Sequence, residues 1–487
     1  MYVLGIDFGG GASKASLLTE GGLLAASAVS EYETLAFDGG GREQRPDDWV
    51  RATFENIRAV LARAGARGDE VACVCFDAAT HTAVLTDRNF RPVRNSVYWT
   101  DTRCLPQKRF LEENYGEDIF RRFKHRVDTI WTLPQLLWIR ENEPDVWAKT
   151  ERILFAKDYV RHMFTGDFAT DFIEAQGSML FDFDERRWSD KYLHLLGIGA
   201  EKLPQVLLPT DIAGTICAEA AKKSGLRAGT PVLCGTTDTA LEVFASGAVS
   251  AGQTTVKLAT AGRICVVTEK PVPDTNIVNY AHVVPGLYYP GSATKSCASS
   301  LRWFRDTFSG EYAQFDAEAE KIPAGSEGLL FHPYLSGELT PYADPELRAS
   351  FTGISATHTK AHFARSVMEG VALSLKDCKN YLEERGVKVA KTAFIIGGGA
   401  KSALWRSIVA DALNISLVRT ECSDSSFGGC MLAGIGAGFF TDYADAVRRC
   451  CRTVGETHPD PVRAEIYEKL FRRYKKTQKL LREALED

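Results

Sequence analysis

Three short apolar-rich runs open the chain, Tyr2–Asp7, Ala12–Leu18 and Leu23–Ser30, with Gly9-Gly10-Gly11 between the first two. Strands this close together can pair only as hairpins. The period then changes: Trp49, Val50, Phe54, Ile57, Val60 and Leu61 recur at helical spacing, which predicts a helix over Pro46–Ala64. Val71–Phe76 reads as a short buried strand. From near Asp101 to Leu208 amphipathic helices such as Leu133–Arg140 dominate, and the stretch reads as an insertion on the first sheet. It ends at a core strand, Pro231–Cys234, followed at once by Gly235-Thr236-Thr237-Asp238 and a predicted helix. Asp238 is therefore expected near a helix N-terminus beyond the carboxyl end of a strand, where open α/β sheets bind ligands.

The order then repeats. Gln253–Leu258, the turn Ala259-Thr260-Ala261-Gly262 and Arg263–Thr268 again give strand, small-residue turn, strand. A long helix near Lys360–Glu384, a strand Thr392–Ile396, the turn Gly397-Gly398-Gly399-Ala400 and a helix through Trp405 follow. Strand Ile415–Arg419 leads to a helix start at Phe427-Gly428-Gly429, and charged Pro461–Asp487 has the spacing of a solvated terminal helix. A chain of 487 residues also exceeds the roughly 250–300 that one core supports. Repeat and length together predict two domains, residues 1–245 and 246–487.

Composition narrows the partners. With 45% hydrophobic and 25% charged residues the chain is of ordinary globular type. A net charge of -5 leaves no general cationic field for nucleic acid or an anionic membrane. No apolar run of about 18 residues predicts a spanning helix, and the start MYVLGID lacks a signal-peptide pattern. A cytoplasmic protein is expected. The twelve cysteines are scattered, with Cys73, Cys75, Cys234 and Cys265 in strand-like runs, and are expected to be reduced thiols outside any zinc spacing.

A glycine turn between strands lets backbone N–H groups approach a phosphate without Cβ interference, and one such turn opens each half. An ordinary tight hairpin is the alternative for either alone. Asp7 ends a buried strand just before the first turn, where a carboxylate can hold magnesium or its waters beside phosphates. Bonding the amides of its own turn is the alternative. Lys14 can reach a phosphate oxygen or sit as a solvated edge residue. Gly397-Gly398-Gly399-Ala400, between strand and helix, can admit a nucleotide base or ribose against the backbone. Neither a GxGxxG fingerprint nor a GxxxxGK[ST] loop fits, which removes the Rossmann and P-loop readings.

Further motifs occur in order: Asp7-Phe8-Gly9 with Lys14, His81 before Asp87, Trp99-x-Asp101-x-Arg103, Lys157-Asp158-Tyr159, Thr165-Gly166 and Thr237-Asp238 in the first half. Pro333-Tyr334-Leu335-Ser336-Gly337-Glu338, Arg365-x-x-x-Glu369-Gly370 and Gly397-Gly398-Gly399-Ala400 follow in the second. Over nearly its whole length the chain resembles the FGGY family of carbohydrate kinases. The resemblance implies an α/β fold of two actin-like ATPase (ribonuclease H-like) domains with a cleft between them for ATP and sugar. It implies Asp238 as the base and Asp7 as the acid associated with Mg2+. Thr80, His81, Trp99 and Asp101 fall on sugar-site positions. Gly10, Gly11, Lys14, Thr260, Gly262, Gly397, Gly398, Gly399 and Ala400 fall on nucleotide positions.

The implied reaction is ATP-dependent phosphorylation of a primary hydroxyl on a small ketose, D-xylulose first. Another pentulose, a tetrulose, a polyol such as glycerol, or a non-metabolic actin-like ATPase are the alternatives. The chain departs from its pentulose-phosphorylating relatives at Gly10 and Gly11, where they carry Thr and Ser, at Ala78-Ala79-Thr80 before His81, at Ala259 and Ala261, and at Leu339 in place of Arg. A sugar and ATP are the expected partners, and the sequence leaves the oligomeric state open, a homodimer included.

Overall fold

The computed structural model describes residues 1–484. They pack as two units: Met1–Val249 with Tyr280–Gly286 and Cys422–Cys451, and Ser250–Asn279 with Leu287–Glu421 and residues 452–484. The last three residues of the predicted helix Pro461–Asp487 lie outside the described residues.

The first unit holds strands β1 (Tyr2–Phe8), β2 (Ala12–Thr19), β3 (Leu24–Glu31), β4 (Val71–Ala78), β5 (Ile212–Thr215), β6 (Pro231–Leu233) and β7 (Thr236–Thr237). The second holds β8 (Thr254–Leu258), β9 (Gly262–Val266), β10 (Gly291–Thr294), β11 (Thr392–Ile396), β12 (Ser416–Thr420) and β13 (Thr453–Thr457). The helices that matter below are α1 (Pro46–Ala64), α2 (Ala156–Thr165), α3 (Phe172–Gly177), α4 (Asp238–Ser246), α5 (Lys360–Glu384), α6 (Ala403–Leu413), α7 (Ser425–Gly436) and α8 (Pro461–Glu483).

The repeat expected from sequence is a repeat of topology. The first sheet runs β5-β6-β4-β1-β2-β3 with β7 beside β4, and the second β10-β9-β8-β11-β12-β13. In each, a strand-turn-strand hairpin extends antiparallel to a third strand on one side. On the other side the same first strand pairs in parallel, β1 with β4 and β8 with β11, and an antiparallel strand closes the edge. Register places Asp7 opposite Lys14 on β2 and opposite Asp77 on β4. Residues level on neighbouring strands share a face, so β1 and β4 present two carboxylates side by side.

Local sequence explains the helices that cover these sheets. Pro46 opens α1, Asp47 and Asp48 suit the positive end of its dipole, and Gly65 closes it at φ 62. Its buried stripe, Trp49, Ile57, Val60 and Leu61, joins the first core with Leu4, Ile6, Val74 and Phe76. Helix α5 starts in a Thr359–His362 capping box and is buried along most of its length in the second core.

Two details differ from the sequence reading. Cys422–Cys451 follows residue 245 yet packs in the first unit, because apolar α7 covers β1 and β4. That helix starts at Ser425, capped by Asp424, and not at Phe427. Gly428 and Gly429 are interior positions where the helix backbone lies against Leu241 and Gly5. They are there for close packing and do not start the helix.

Candidate functional site

Asp7, Asp77 and Asp238 come together at the carboxyl ends of β1, β4 and β7. Asp77 is wholly buried, and neither of its carboxylate oxygens meets a donor in hydrogen-bonding geometry. Burial pushes its carboxyl well above the usual range, helped by the negative charges of Asp7 and Asp238. Burial also raises Asp7, to about 7; the neighbouring Asp77 opposes the rise, and the negative charges of Asp238 and Glu242 add to it. Carboxylates crowded in this way hold protons or take up positive charge. Among the described residues no group of three or more His, Cys, Asp or Glu side chains is arranged to hold a metal. Magnesium needs only one or two protein carboxylates, and Asp7 with Asp77 fits that donor set.

Asp238 is the first residue of α4, and Thr237 is its N-cap. The Asp238 carboxylate accepts from its neighbour, the Thr239 N–H at 2.6 Å and the Thr239 hydroxyl at 3.2 Å. Thr239 is the second residue of α4, so this carboxylate bonds one of the free amides at the helix start.

In the first glycine turn, Gly9, Gly10 and Gly11 all keep φ outside the left-handed region. Space is the reason for glycine at Gly10, since a Cβ there would lie 2.9 Å from the Tyr98 hydroxyl. Tyr32 donates to the Gly9 carbonyl at 2.6 Å and Gln44 to that of Gly10 at 3.2 Å. Lys14 pairs with Asp424 at 2.8 Å, at the start of α7. Ser425, next along, lies close to both Asp7 and Asp77.

The proposed sugar residues have unequal settings. Trp99 is 40% exposed, whereas Asp101 is buried and held by Arg103 and by the Arg42 N–H at 2.7 Å. His81 is buried with φ 72; its N–H donates to Glu174 at 2.7 Å and its carbonyl accepts from Thr132 at 2.9 Å. Its ring Nε2 lies 2.8 Å from the Tyr280 hydroxyl, and the ring packs near Trp131. Burial holds this imidazole neutral, its pKa well below the ordinary value. Thr80, the residue before it, is half-buried.

In the second unit Thr260 lies at the middle of the turn between β8 and β9, Gly262 opens β9, and the Thr260 carbonyl accepts from the Cys297 N–H at 3.0 Å. Gly397, at φ 93, follows β11 where a Cβ would lie 2.5 Å from the Leu258 carbonyl oxygen. Gly398 has open space where a side chain would be, while Gly399 and buried Ala400 pack inward in a short 3-10 turn before α6. A flat ring can approach such a backbone.

Comparison with known proteins decides the family. The model of the FGGY family of carbohydrate kinases, N-terminal domain, matches residues 2–245, and that of the C-terminal domain matches residues 248–437. The chain belongs to the FGGY family of carbohydrate kinases. It is 32% identical to a xylulose kinase of Bacillus subtilis over 97% of this chain and 96% of that one. A xylulose kinase of Lactococcus lactis is also 32% identical, over 98% and 96%. The solved xylulose kinase of Rhodospirillum rubrum superposes with a TM-score of 0.91 at 27% identity, covering both chains completely. The protein is thus an ATP-dependent sugar kinase, with the actin-like ATPase fold expected from the resemblance.

Two motifs of this kinase act as staples. Glu369 accepts from Gly325, Ser326, Arg365 and Tyr467 at 2.8–2.9 Å. Glu338, whose carboxyl burial raises to about 7, holds Thr294 and the N–H groups of Lys295 and Leu339 at 2.7–2.8 Å. Sequence reasoning missed Asp77, Asp424 and Ser425. The first was signalled by a carboxylate closing an otherwise apolar strand, the others by Asp-Ser-Ser before a glycine-rich helix. Among the described residues no disulfide joins the cysteines, and no helix is long and apolar enough to cross a membrane.

Proposed function

We propose that this kinase transfers the γ-phosphoryl group of ATP to the terminal primary hydroxyl of a five-carbon ketose, D-xylulose, giving D-xylulose 5-phosphate. The observation that carries the reaction is Asp238 at the first position of α4, directly after the strand that pairs with Asp77 and Ala78, and close enough to Asp7 and Asp77 to raise their pKa values. In this reading Asp238 accepts the hydroxyl proton as that oxygen bonds to the γ-phosphorus. The bond from the γ-phosphorus to the bridging oxygen breaks, and ADP leaves with the electron pair. Asp7 would hold magnesium, directly or through water, with Asp77 behind it. Bound there, magnesium supplies positive charge to the phosphoryl oxygens.

Lys14 and the backbone at Gly10 and Gly11 are assigned to the phosphates, Thr260, Gly262 and Gly397 to Ala400 to the rest of the nucleotide. Thr80, His81, Trp99 and Asp101 are assigned to the sugar. Exposed Trp99 offers a flat apolar face to C–H groups. Asp101, already bonded to Arg103, serves that side by fixing it. The choice of ketose is supported by the whole-length likeness to kinases named for xylulose. A coupled assay of ATP turnover against ketoses, aldoses and polyols tests it. A five-carbon ketose is expected to give the highest kcat/KM; glycerol or an aldohexose ahead by about tenfold, roughly 1.4 kcal/mol of discrimination, overturns it.

A further inference from the structure

Lys157-Asp158-Tyr159 has no part in the chemistry above, yet Lys157 centres a buried charge cluster. The side chains of Lys157, Asp158, Arg161 and Asp171 are fully buried. The Lys157 ammonium lies 2.5 Å from Asp158 and 2.9 Å from Asp171, and the Arg161 guanidinium 2.8 Å from Asp158 and from Asp167. Burial opposes the lysine's charge, and Asp158 and Asp171 more than offset it. Apolar side chains of similar volume commonly stabilise a fold as well as buried ion pairs do. Stability alone therefore gives little reason for the cluster, and what it grips gives a better one.

Asp171 Oδ1 accepts the Thr236 hydroxyl at 2.8 Å, along with the N–H groups of Ile173 and Glu174 at 3.0 and 3.3 Å. Arg161 donates to the Cys234 carbonyl. Cys234 and Thr236 flank Gly235, which adopts φ 70 and whose missing Cβ would lie 2.0 Å from the Phe76 carbonyl oxygen. The chain kinks there between β6 and β7, then pairs Thr236 and Thr237 with Asp77 and Ala78. Asp238 is the next residue. The cluster thus holds both sides of the kink from which Asp238 departs. Through α3 it also reaches His81, whose N–H Glu174 accepts.

We propose that this cluster is the mount of the turn carrying Asp238, with Asp171 and Thr236 as positioning residues for its carboxylate. The inference rests on Asp238 being the base. A misplacement of about 1 Å at a reacting group can cost on the order of 10²-fold in rate. Thr236→Val keeps the shape and β propensity and removes only the hydroxyl.

Steady-state kinetics of the full chain with D-xylulose and MgATP test it, alongside Asp238→Asn. Thr236→Val is expected to lower kcat about 10- to 100-fold while both KM values stay within about threefold, and Thr236→Ser to restore it. A folded Thr236→Val with wild-type kcat overturns the proposal, as does a loss that Thr236→Ser fails to rescue. Should Thr236→Val not fold, Thr236→Ala is judged by the same kcat criterion. If Asp238→Asn keeps normal turnover, the reading of the base fails, and the mount with it. If Asp238→Asn is inactive and Thr236→Val is normal, only the mount fails.

Discussion

Replacing Gly5 by alanine tests how closely α7 must lie on β1. The added Cβ would stand 2.0 Å from the Ser426 carbonyl oxygen, 2.5 Å from the Cys430 nitrogen and 2.9 Å from the Gly429 carbonyl carbon. Non-bonded heavy atoms are comfortable at about 3.5–4.0 Å, so the helix would have to withdraw by more than about 1 Å. All three neighbours are backbone, and no rotamer change can relieve them. Overpacking typically costs about 1–3 kcal/mol, and rigid neighbours place this case near 3 kcal/mol. At about 2 °C per kcal/mol for a large domain, the melting temperature should fall by roughly 6 °C. Withdrawal also carries Asp424 and Ser425 away from Lys14 and Asp7, so turnover should fall even well below the melting transition. Gly116→Ala, where nothing lies within 4 Å of the new Cβ, is the control. It should stabilise by about 0.5–1 kcal/mol, because alanine replaces a mid-helix glycine. Calorimetry read with a sugar-kinase assay measures both. A Gly5→Ala protein with wild-type melting and turnover would refute the packing argument.

His332 is buried, donates to the Tyr474 carbonyl at 3.0 Å and has its pKa pushed down to about 4 by burial. Its folded value lies below the ordinary one near 6.5, so stability is lost as pH falls between the two, by up to about 3 kcal/mol. His332→Gln should flatten that part of the pH–stability curve, and an unchanged curve would contradict the assignment. Lys14→Met should raise the KM for ATP about tenfold and spare that for the sugar. An unchanged ATP KM would leave Lys14 as no more than the ion-pair partner of Asp424.

Element type and order were legible because they rest on local pattern. Helices Pro46–Ala64 and Lys360–Glu384 coincide with their apolar stripes, and the hairpin of β1 and β2 with its glycine turn. Asp238 was legible because strand, turn and helix place it without tertiary knowledge. What escaped depends on contacts between distant segments. Nothing local says that Asp424 meets Lys14, that Asp77 lies level with Asp7, or that Tyr280 closes over His81. Gly428-Gly429 was misread for the same reason, since glycine inside a helix declares its purpose only once the opposing backbone is known.

The measurement that bears most directly on the account is sugar-dependent ATP turnover by Asp238→Asn. Thr237 is the N-cap, and asparagine is nearly isosteric with aspartate, so folding and ATP affinity should stay at wild-type levels. Asparagine cannot accept the hydroxyl proton, and kcat should fall by about 10²–10⁴-fold. A well-folded Asp238→Asn protein that phosphorylates its sugar at a near-normal rate would contradict the assignment of the base.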